Sequence, residues 1–288
     1  MTSGVVRAMA ADGRDRRRWL TRYGQWAVVT GASDGIGRAV AERLAARGQN
    51  LVLVARRQPV LDALGAELVE RYGIEVRVMP ADLADEAAVA TVVDATKALD
   101  VGLLVAAAGF GTSGALMDAP LDRELNMLDV NCRAVLGLSH GFGRRFAGQG
   151  HGGIVLFGSL VGFQGVPRAA NYAATKAYVQ TLGEALHLEL SPQGVDVLVA
   201  APGPVDSGFA ARADMRLGPA LKPDTVAAAT LNALGRRATV WPGPLSKLLI
   251  GSMAPLPRWA RVRMMARIMG GITKHQHGGA KDDLKKPA

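Results

Sequence analysis

Cysteine is almost absent from this chain, which has one, Cys132, among 288 residues. A single thiol excludes an intramolecular disulfide and any metal cluster held by several cysteines. Such scarcity is typical of a protein from a reducing compartment, where thiols are kept reduced. We therefore expect a cytoplasmic protein without a metal site.

Long apolar runs are also missing. The arginines at 16–18 are followed by Trp-Leu-Thr-Arg-Tyr and not by an apolar core, so we expect neither secretory nor twin-arginine export. The apolar stretch at 245–257 contains a lysine and two prolines. It is shorter than the ~20 apolar residues that span a bilayer.

Acidic residues are scarce at both ends of the chain, and this explains the net charge of +9. Residues 1–23 carry +4 and residues 244–288 carry +7, whereas residues 24–243 carry −2. A nearly neutral middle argues against a nucleic-acid partner. We expect the basic ends to be solvated segments, with an anionic membrane surface or partner as the alternative.

Between residues 24 and 243, short β-branched apolar runs alternate with longer amphipathic segments. Strands that are apolar on both faces and separated by helices predict a parallel sheet covered on both sides. We therefore expect one doubly wound α/β domain of the Rossmann type at 24–243, because no internal repeat or linker interrupts this pattern. The predicted strands are 26–30, 50–55, 75–80, 103–108, 153–159 and 195–201.

The pattern changes after residue 243. Residues 258–271 predict a basic amphipathic helix in an extension, 244–288, that ends in a flexible tail. Its apolar face would pack on the domain or on another subunit, and a peripheral membrane contact is the alternative. That face consists of Trp259, Val262, Met265, Ile268 and Met269.

A glycine-rich turn follows the first predicted strand, with the sequence TGASDGIG at 30–37. A tight turn that leads into a helix N-terminus brings backbone N–H groups close to a diphosphate, and the helix dipole favours its charge. The strand before the turn and the helix after it are the context that this motif requires. We expect contacts to a nucleotide from Gly31, Ser33, Asp34, Gly35, Ile36 and Gly37.

The end of the second predicted strand indicates which nucleotide is bound. An NAD site places an acidic residue there for the ribose 2′-hydroxyl, whereas this chain has Arg56 and Arg57. A guanidinium binds a 2′-phosphate through paired charge-assisted hydrogen bonds, so we predict NADP(H). After the third strand, Asp82 and Leu83 would bracket an adenine, or Asp82 would cap the helix that begins near Glu86.

Tyr172 and Lys176 lie four residues apart in NYAATKAYVQ and therefore on one face of a helix. A phenol has a pKa near ~10, and a neighbouring ammonium should lower it by favouring the phenolate. Ser159 ends the fifth strand, Asn131 stands in LDVNC, and PGPV follows the sixth strand at 202–205.

Together with the glycine-rich turn, these features in this order resemble the short-chain dehydrogenase/reductase family over roughly residues 24–243. The resemblance implies a mostly parallel seven-stranded sheet and reversible ketone reduction, with Tyr172 as the general acid and base. It also implies that Lys176 binds the nicotinamide ribose, that Ser159 donates to the substrate oxygen, and that Asn131 holds a water. The resemblance implies a homo-dimer or homo-tetramer as the assembly. The further cofactor contacts that it implies are Ala107, Ala108, Gly109, Pro202, Gly203, Val205 and Ser207.

One motif departs from the family pattern. Residues 106–109 read AAAG where the family usually has Asn-Asn-Ala-Gly, so the contacts of those asparagine side chains are not expected here. Backbone contacts at Ala107 to Gly109 can remain.

The segments predicted around the nicotinamide are apolar, which favours a bulky apolar ketone, alcohol or acyl chain as substrate. The sequence is similar to the branch with hydroxysteroid dehydrogenases and 3-ketoacyl-CoA reductases. The alternatives are a long-chain 3-oxoacyl thioester reductase at a membrane surface and an NADPH-binding protein without catalysis. The predicted pocket residues are Phe110, Leu160, Val161, Phe163, Phe209 and Met215, the last two in a lid-like segment at 205–219.

Overall fold

In the computed structural model of the protein, the described residues are 3–216, 218–253 and 255–277. The end of the predicted flexible tail, 278–288, lies outside this range.

Seven parallel strands form one sheet in the order β3-β2-β1-β4-β5-β6-β7. The central strands are buried along their whole length, as their apolar sequences predict. The strand order switches between β1 and β4: the chain adds strands outwards on one side of β1 and then on the other. This switch opens a crevice at the carboxyl ends of the strands. The strands are β1 Trp26–Thr30, β2 Asn50–Ala55, β3 Val76–Pro80, β4 Val101–Ala106, β5 Gly152–Phe157, β6 Val195–Ala200 and β7 Thr239–Val240.

Two predicted strands end two residues earlier than expected, and β6 ends one residue earlier, at Ala200. β4 ends at Ala106 and β5 at Phe157, because the sheet pairing of β4 with its neighbours extends no further than Ala106 and that of β5 with β6 no further than Phe157. Residues 107–109 and 158–159 are therefore in loops that border the crevice. The prediction of a doubly wound parallel sheet is confirmed.

Helices cover both faces of the sheet. The buried faces of α2, α3 and α9 form one hydrophobic core, and those of α4, α6 and α7 form the second. The shorter helices α5 and α8 lie beside the crevice. The helices are α1 Ser3–Tyr23, α2 Gly35–Ala46, α3 Gln58–Tyr72, α4 Glu86–Ala95, α5 Leu121–Leu128, α6 Ala134–Gln149, α7 Ala170–Leu190, α8 Phe209–Arg212, α9 Pro223–Ala233, α10 Pro244–Met253 and α11 Arg258–Ile272.

The basic N-terminal extension is not simply a solvated segment, because the last turn of α1 packs on the sheet. Tyr23 is buried, and its hydroxyl donates to Asp196 Oδ2 at 2.7 Å. Arg22 forms two hydrogen bonds with the same carboxylate, at 2.6 and 2.7 Å. Trp19 Nε1 donates to Gln49 Oε1 at 2.9 Å. Arg14, Arg16, Arg17 and Arg18 are exposed, although Arg16 Nη2 also donates to Gly48 O at 3.3 Å.

The C-terminal extension folds back over the crevice as α10 and α11. Met265 and Met269 are buried there, so the predicted apolar face does pack on the domain. Trp259 does not belong to the buried face, since 63% of its surface is exposed. Among the residues that the structure describes, each helix is too short or too polar to span a lipid bilayer.

Candidate active site

A cavity of about 420 Å³ occupies the crevice at the carboxyl ends of the strands. Its walls come from the loops after β1 to β6, from the lid-like segment and from the C-terminal extension. Every predicted cofactor-binding residue borders it. These residues are Gly31, Ser33, Asp34, Gly35, Ile36, Gly37, Arg56, Arg57, Asp82, Leu83, Ala107, Ala108, Gly109, Tyr172, Lys176, Pro202, Gly203, Val205 and Ser207.

The glycine-rich turn after β1 has the shape needed to hold a diphosphate. Gly31 adopts a φ of +66°, and a Cβ there would lie 2.8 Å from the Ala107 oxygen. At Gly37 a Cβ would lie 2.3 Å from the Gly31 oxygen, so α2 packs against the turn without room for a side chain. Asp34 begins α2 without a side-chain hydrogen bond to its first turn. The N–H groups of that turn therefore remain available for an anion.

The two arginines after β2 lie at the edge of the same cavity. Arg57 Nη2 donates to the main-chain oxygen and to the Oγ of Ser33, both at 3.1 Å, so it also braces the glycine-rich turn. Arg56 is exposed beside it. Guanidinium groups at this end of the cavity fit a 2′-phosphate.

Asp82 does not cap α4. Its Oδ1 accepts a hydrogen bond from Ala84 N at 3.1 Å, whereas Asp85 begins the helix and accepts from Ala87 N at 2.9 Å. The interpretation of Asp82 as a helix cap is therefore wrong, because its carboxylate closes the turn before α4 and Asp85 caps the helix. Its position on the cavity wall next to buried Leu83 agrees with the prediction of an adenine contact.

The side chains of Thr30 and Asn131 hold the loop with the AAAG sequence, in place of the two asparagines that the family usually has within that loop. Thr30 Oγ1 accepts a hydrogen bond from Ala108 N at 3.1 Å. Asn131 accepts from Phe110 N at 3.1 Å and donates to Phe110 O at 2.8 Å. A Cβ at Gly109 would lie 3.0 Å from Asn131 Oδ1, so a side chain there would press against Asn131.

Asn131 itself is buried behind the cavity wall and does not line it. It lies in a π-helical turn, Asp129–Arg133, between α5 and α6. Its amide nitrogen also donates to Thr175 Oγ1 at 3.1 Å, one residue before Lys176. The side chain thus joins the loop after β4 to α7, and the predicted water-holding role stays a prediction.

Ser159, Tyr172 and Lys176 all line the cavity. Lys176 Nζ donates to the main-chain oxygen of Phe157 at 2.9 Å and lies 5.8 Å from the centroid of the Tyr172 ring. Burial lowers the pKa of Lys176 to about 8. The same effect raises the pKa of Tyr172 to about 12, and a hydrogen bond with Ser159 opposes that rise. The expected lowering of the tyrosine pKa by Lys176 is therefore wrong for this structure, because burial dominates.

The described part of the lid-like segment, residues 205–216, is called the lid segment below. Its Phe209 ring lies 5.3 Å from the Tyr172 ring at an interplanar angle of 46°. Ser207 lies against the glycine-rich turn, since a Cβ at Gly35 would be 2.9 Å from its own Cβ. The lid segment thus covers both the predicted cofactor site and the predicted catalytic tyrosine.

The C-terminal extension completes the cavity wall and packs in one hydrophobic cluster with Tyr172, a placement that the sequence did not predict. Of the ten methionines in the chain, five line the cavity, and three of these come from α11. The clustering of methionine in MMARIM was the signal available in the sequence. Of the six predicted pocket residues, Phe163 does not line the cavity. The lining residues contributed by the extension are Leu249, Ser252, Met253, Met264, Met265, Ile268, Met269 and Ile272.

The family assignment follows from comparison with known proteins. The model of the short chain dehydrogenase family matches residues 25–216, two thirds of the chain and nearly the whole sheet. The chain belongs to this family. This short-chain dehydrogenase is therefore an oxidoreductase that acts on a hydroxyl or carbonyl group with a nicotinamide cofactor.

Relatives of this short-chain dehydrogenase include two kinds of enzyme. The 7beta-hydroxysteroid dehydrogenase of Collinsella aerofaciens is 36% identical over 182 residues, which cover 63% of this chain and 69% of that protein. The very-long-chain 3-oxoacyl-CoA reductase of Neurospora crassa is 34% identical over 198 residues, covering 67% and 59%. A solved short-chain dehydrogenase from Sphingobium yanoikuyae, in complex with NADPH, has 32% identity and a TM-score of 0.72, covering 81% and 96%.

Proposed function

We propose that this short-chain dehydrogenase is an NADPH-dependent reductase that interconverts a bulky apolar ketone and its secondary alcohol. The observation that carries the proposal is the placement of Ser159, Tyr172 and Lys176 in one cavity, between a diphosphate-binding turn and a methionine-rich wall. NADPH, when bound, supplies the hydride, so the chain itself has to hold the carbonyl and supply a proton.

The proton would come from Tyr172. A phenol whose pKa is about 12 is protonated at neutral pH, so Tyr172 carries the proton that ketone reduction requires. Ser159 would donate a hydrogen bond to the substrate oxygen, and Lys176 would stabilise the phenolate that remains after proton transfer. Asn131 would keep Lys176 in register through Thr175 and would hold the proposed water.

NADP(H) is favoured over NAD(H) by charge. Arg56 and Arg57 stand at the end of β2, where an NAD site would have a carboxylate. The NADPH complex of the Sphingobium yanoikuyae relative supports the same choice. Of the two arginines, Arg56 is the better candidate to bind a 2′-phosphate, because Arg57 already donates hydrogen bonds to Ser33.

The substrate side of the cavity supports an uncharged, bulky ligand. Its wall consists of methionine, leucine, isoleucine and phenylalanine side chains, and Ser252 is the one polar residue that the extension adds among the described residues. Methionine is flexible and polarizable, so such a wall adapts to a large apolar surface. A steroid ketone fits this chemistry, as the similarity to a 7beta-hydroxysteroid dehydrogenase suggests.

The second candidate is a long-chain 3-oxoacyl thioester reductase that works at a membrane surface. Residues 244–277 contain six basic residues and no acidic one. Trp259 and Leu248 are 63% and 68% exposed, and Ile268 is both partly exposed and part of the cavity wall. A cationic surface with exposed Trp next to the cavity suits an anionic lipid interface.

The proposed assembly is a homo-dimer or homo-tetramer in the cytoplasm. Leu121, Leu125 and Leu128 form an exposed row along α5, the helix next to Asn131. An exposed leucine row of this kind is the surface that a second copy of the chain would cover. Size-exclusion chromatography with light scattering should show a Leu125→Asp variant dissociating relative to the unmodified chain.

A substrate screen tests the function directly. Oxidation of NADPH and NADH is followed by the loss of absorbance of the reduced nicotinamide, with steroid ketones, long-chain 3-oxoacyl thioesters and small aromatic ketones. We expect turnover with NADPH and a bulky ketone, lost in Tyr172→Phe. Binding of NADPH without turnover of any carbonyl would favour the remaining alternative, a protein that binds NADPH without catalysis.

Vesicle binding separates the second candidate from the first. The full chain is sedimented with neutral vesicles and with vesicles containing anionic lipid, at low and high salt. The membrane-surface proposal expects binding to anionic vesicles that salt weakens and that Trp259→Ser reduces. Equal recovery of the protein in the supernatant with both vesicle types would exclude the membrane-surface proposal and favour the ketone reductase.

A further inference from the structure

Arg212, at the end of α8 in the lid segment, contacts the glycine-rich turn. Its Nη2 lies 3.1 Å from Asp34 Oδ2, although the two residues are 178 positions apart in the sequence. Arg212 lines the same cavity as Ser33 and Gly35. Its guanidinium therefore stands at the turn that would hold the cofactor diphosphate.

Two hydrogen bonds and one close contact hold Arg212 beside the glycine-rich turn. The carbonyl oxygen of Arg212 accepts a hydrogen bond of 2.6 Å from Arg123 Nη2, and its own Nε donates to Gly208 O at 3.3 Å. A Cβ at Gly208 would lie 2.5 Å from Asp34 Oδ2, so the glycine lets the lid segment approach the turn closely. The Arg212 side chain is 47% exposed, so these contacts and not burial hold it beside the turn.

Charge explains why a cation is useful at this point. Asp34 is a carboxylate at the mouth of an anion-binding turn, and its charge would repel a diphosphate. Arg212 offsets that charge. Its Nη1 has no partner among the described residues, so donors remain for a further anion.

We propose that Arg212 is a cofactor-binding residue whose guanidinium binds the phosphates of NADP(H) and so couples cofactor binding to the position of the lid segment. This rests on the proposed function, since it requires a dinucleotide in the cavity. Arg56 and Arg57 serve the 2′-phosphate end and Lys176 the nicotinamide end, and Arg212 supplies the cation between them.

Equilibrium binding of NADPH, followed by its fluorescence and without substrate, tests the inference. Arg212→Gln should weaken binding roughly tenfold and make it less sensitive to salt, because a charge-assisted contact to phosphate is lost. Arg212→Lys should retain part of the affinity. The matched control is Arg71→Gln, which removes one exposed arginine charge at the end of α3, outside the cavity and away from the lid segment. It should bind NADPH within about twofold of the unmodified chain.

A double-mutant cycle with Asp34→Asn separates phosphate binding from mere neutralisation of Asp34. If Arg212 binds phosphate, Arg212→Gln weakens NADPH binding in the Asp34→Asn background as well. If it only neutralises Asp34, the substitution has no effect in that background, and the inference is overturned. Should Arg212→Gln fail to fold, Arg212→Lys in both backgrounds carries the same comparison.

Limited proteolysis of the lid segment gives an independent readout. NADP⁺ should protect residues 205–216 from cleavage in the unmodified chain and in Arg71→Gln, but less in Arg212→Gln at equal cofactor saturation. Equal protection in all three proteins would contradict the coupling. Failure of the unmodified chain to bind NADPH at all would instead contradict the proposed function.

Discussion

The Nζ atom of Lys176 donates a 2.9 Å hydrogen bond to the main-chain oxygen of Phe157. This bond joins α7 to the last residue of β5, two positions before Ser159. The ammonium is thereby held in a buried place beside the Tyr172 ring, and burial lowers its pKa to about 8. The protonation of Lys176 is therefore expected to change within the range in which the enzyme can be assayed.

The first prediction concerns the pH dependence of the two reaction directions. Ketone reduction needs a protonated Tyr172, which has a pKa of about 12, and a charged Lys176 to stabilise the phenolate. We expect kcat/KM for reduction to fall as the pH rises through about 8. Alcohol oxidation needs the phenolate, so its rate relative to reduction should rise over the same range. Parallel profiles in both directions would contradict this assignment.

The second prediction is that Lys176→Met stabilises the fold while abolishing activity. The pKa of Lys176 is lowered from 10.5 to about 8 in the folded chain, so the unfolded chain binds more protons between these values. Stability of the unmodified chain should therefore rise with pH across this window. At pH 7 the variant should gain roughly 2 kcal/mol, after subtracting about 1 kcal/mol for the lost hydrogen bond.

Denaturant unfolding at pH 7 and above pH 10 measures this effect. The advantage of Lys176→Met should shrink at the higher pH, because Lys176 is then neutral in the folded chain and increasingly so in the unfolded one. A variant that is less stable than the unmodified chain at pH 7 would show that the ammonium is not penalised by burial.

The third prediction tests Tyr172 as the proton donor. Tyr172→Phe should lower kcat by roughly 10³-fold, because the substitution removes the hydroxyl and keeps the ring that packs against Phe209. NADPH affinity should change by less than about twofold. Tyr178→Phe, on the same helix but partly exposed, is the matched control and should keep full activity. Substantial turnover by Tyr172→Phe would exclude the proposed mechanism.

The fourth prediction concerns cofactor choice. Arg56→Asp should lower the ratio of kcat/KM for NADPH to that for NADH by at least about tenfold, since a carboxylate repels the 2′-phosphate and accepts from a 2′-hydroxyl. Arg71→Asp is the control, because Arg71 is exposed at the other end of α3 beside Tyr72. An unchanged ratio in Arg56→Asp would refute the assignment of NADP(H).

Much of the sheet and the glycine-rich turn was predictable because their signals are local. A buried parallel strand needs apolar residues on both faces, and the turn at 30–37 needs glycine where a Cβ would collide, as at Gly31 and Gly37. The fourth and fifth strands were placed one or two residues too late, because Ala107, Ala108 and Gly158 are as compatible with a strand as with a loop. The helical spacing of Tyr172 and Lys176 likewise depends on only one turn of chain.

The sequence by itself determined the order of strands and helices, the diphosphate turn and the set of predicted catalytic side chains. Only the tertiary structure decided that Arg212 meets Asp34, that α11 supplies the methionine wall, and that Tyr172 is made a weaker acid by burial. The reason is physical: secondary structure follows from neighbours within a few residues, whereas burial, pKa and ion pairing depend on segments that meet only when the chain has folded.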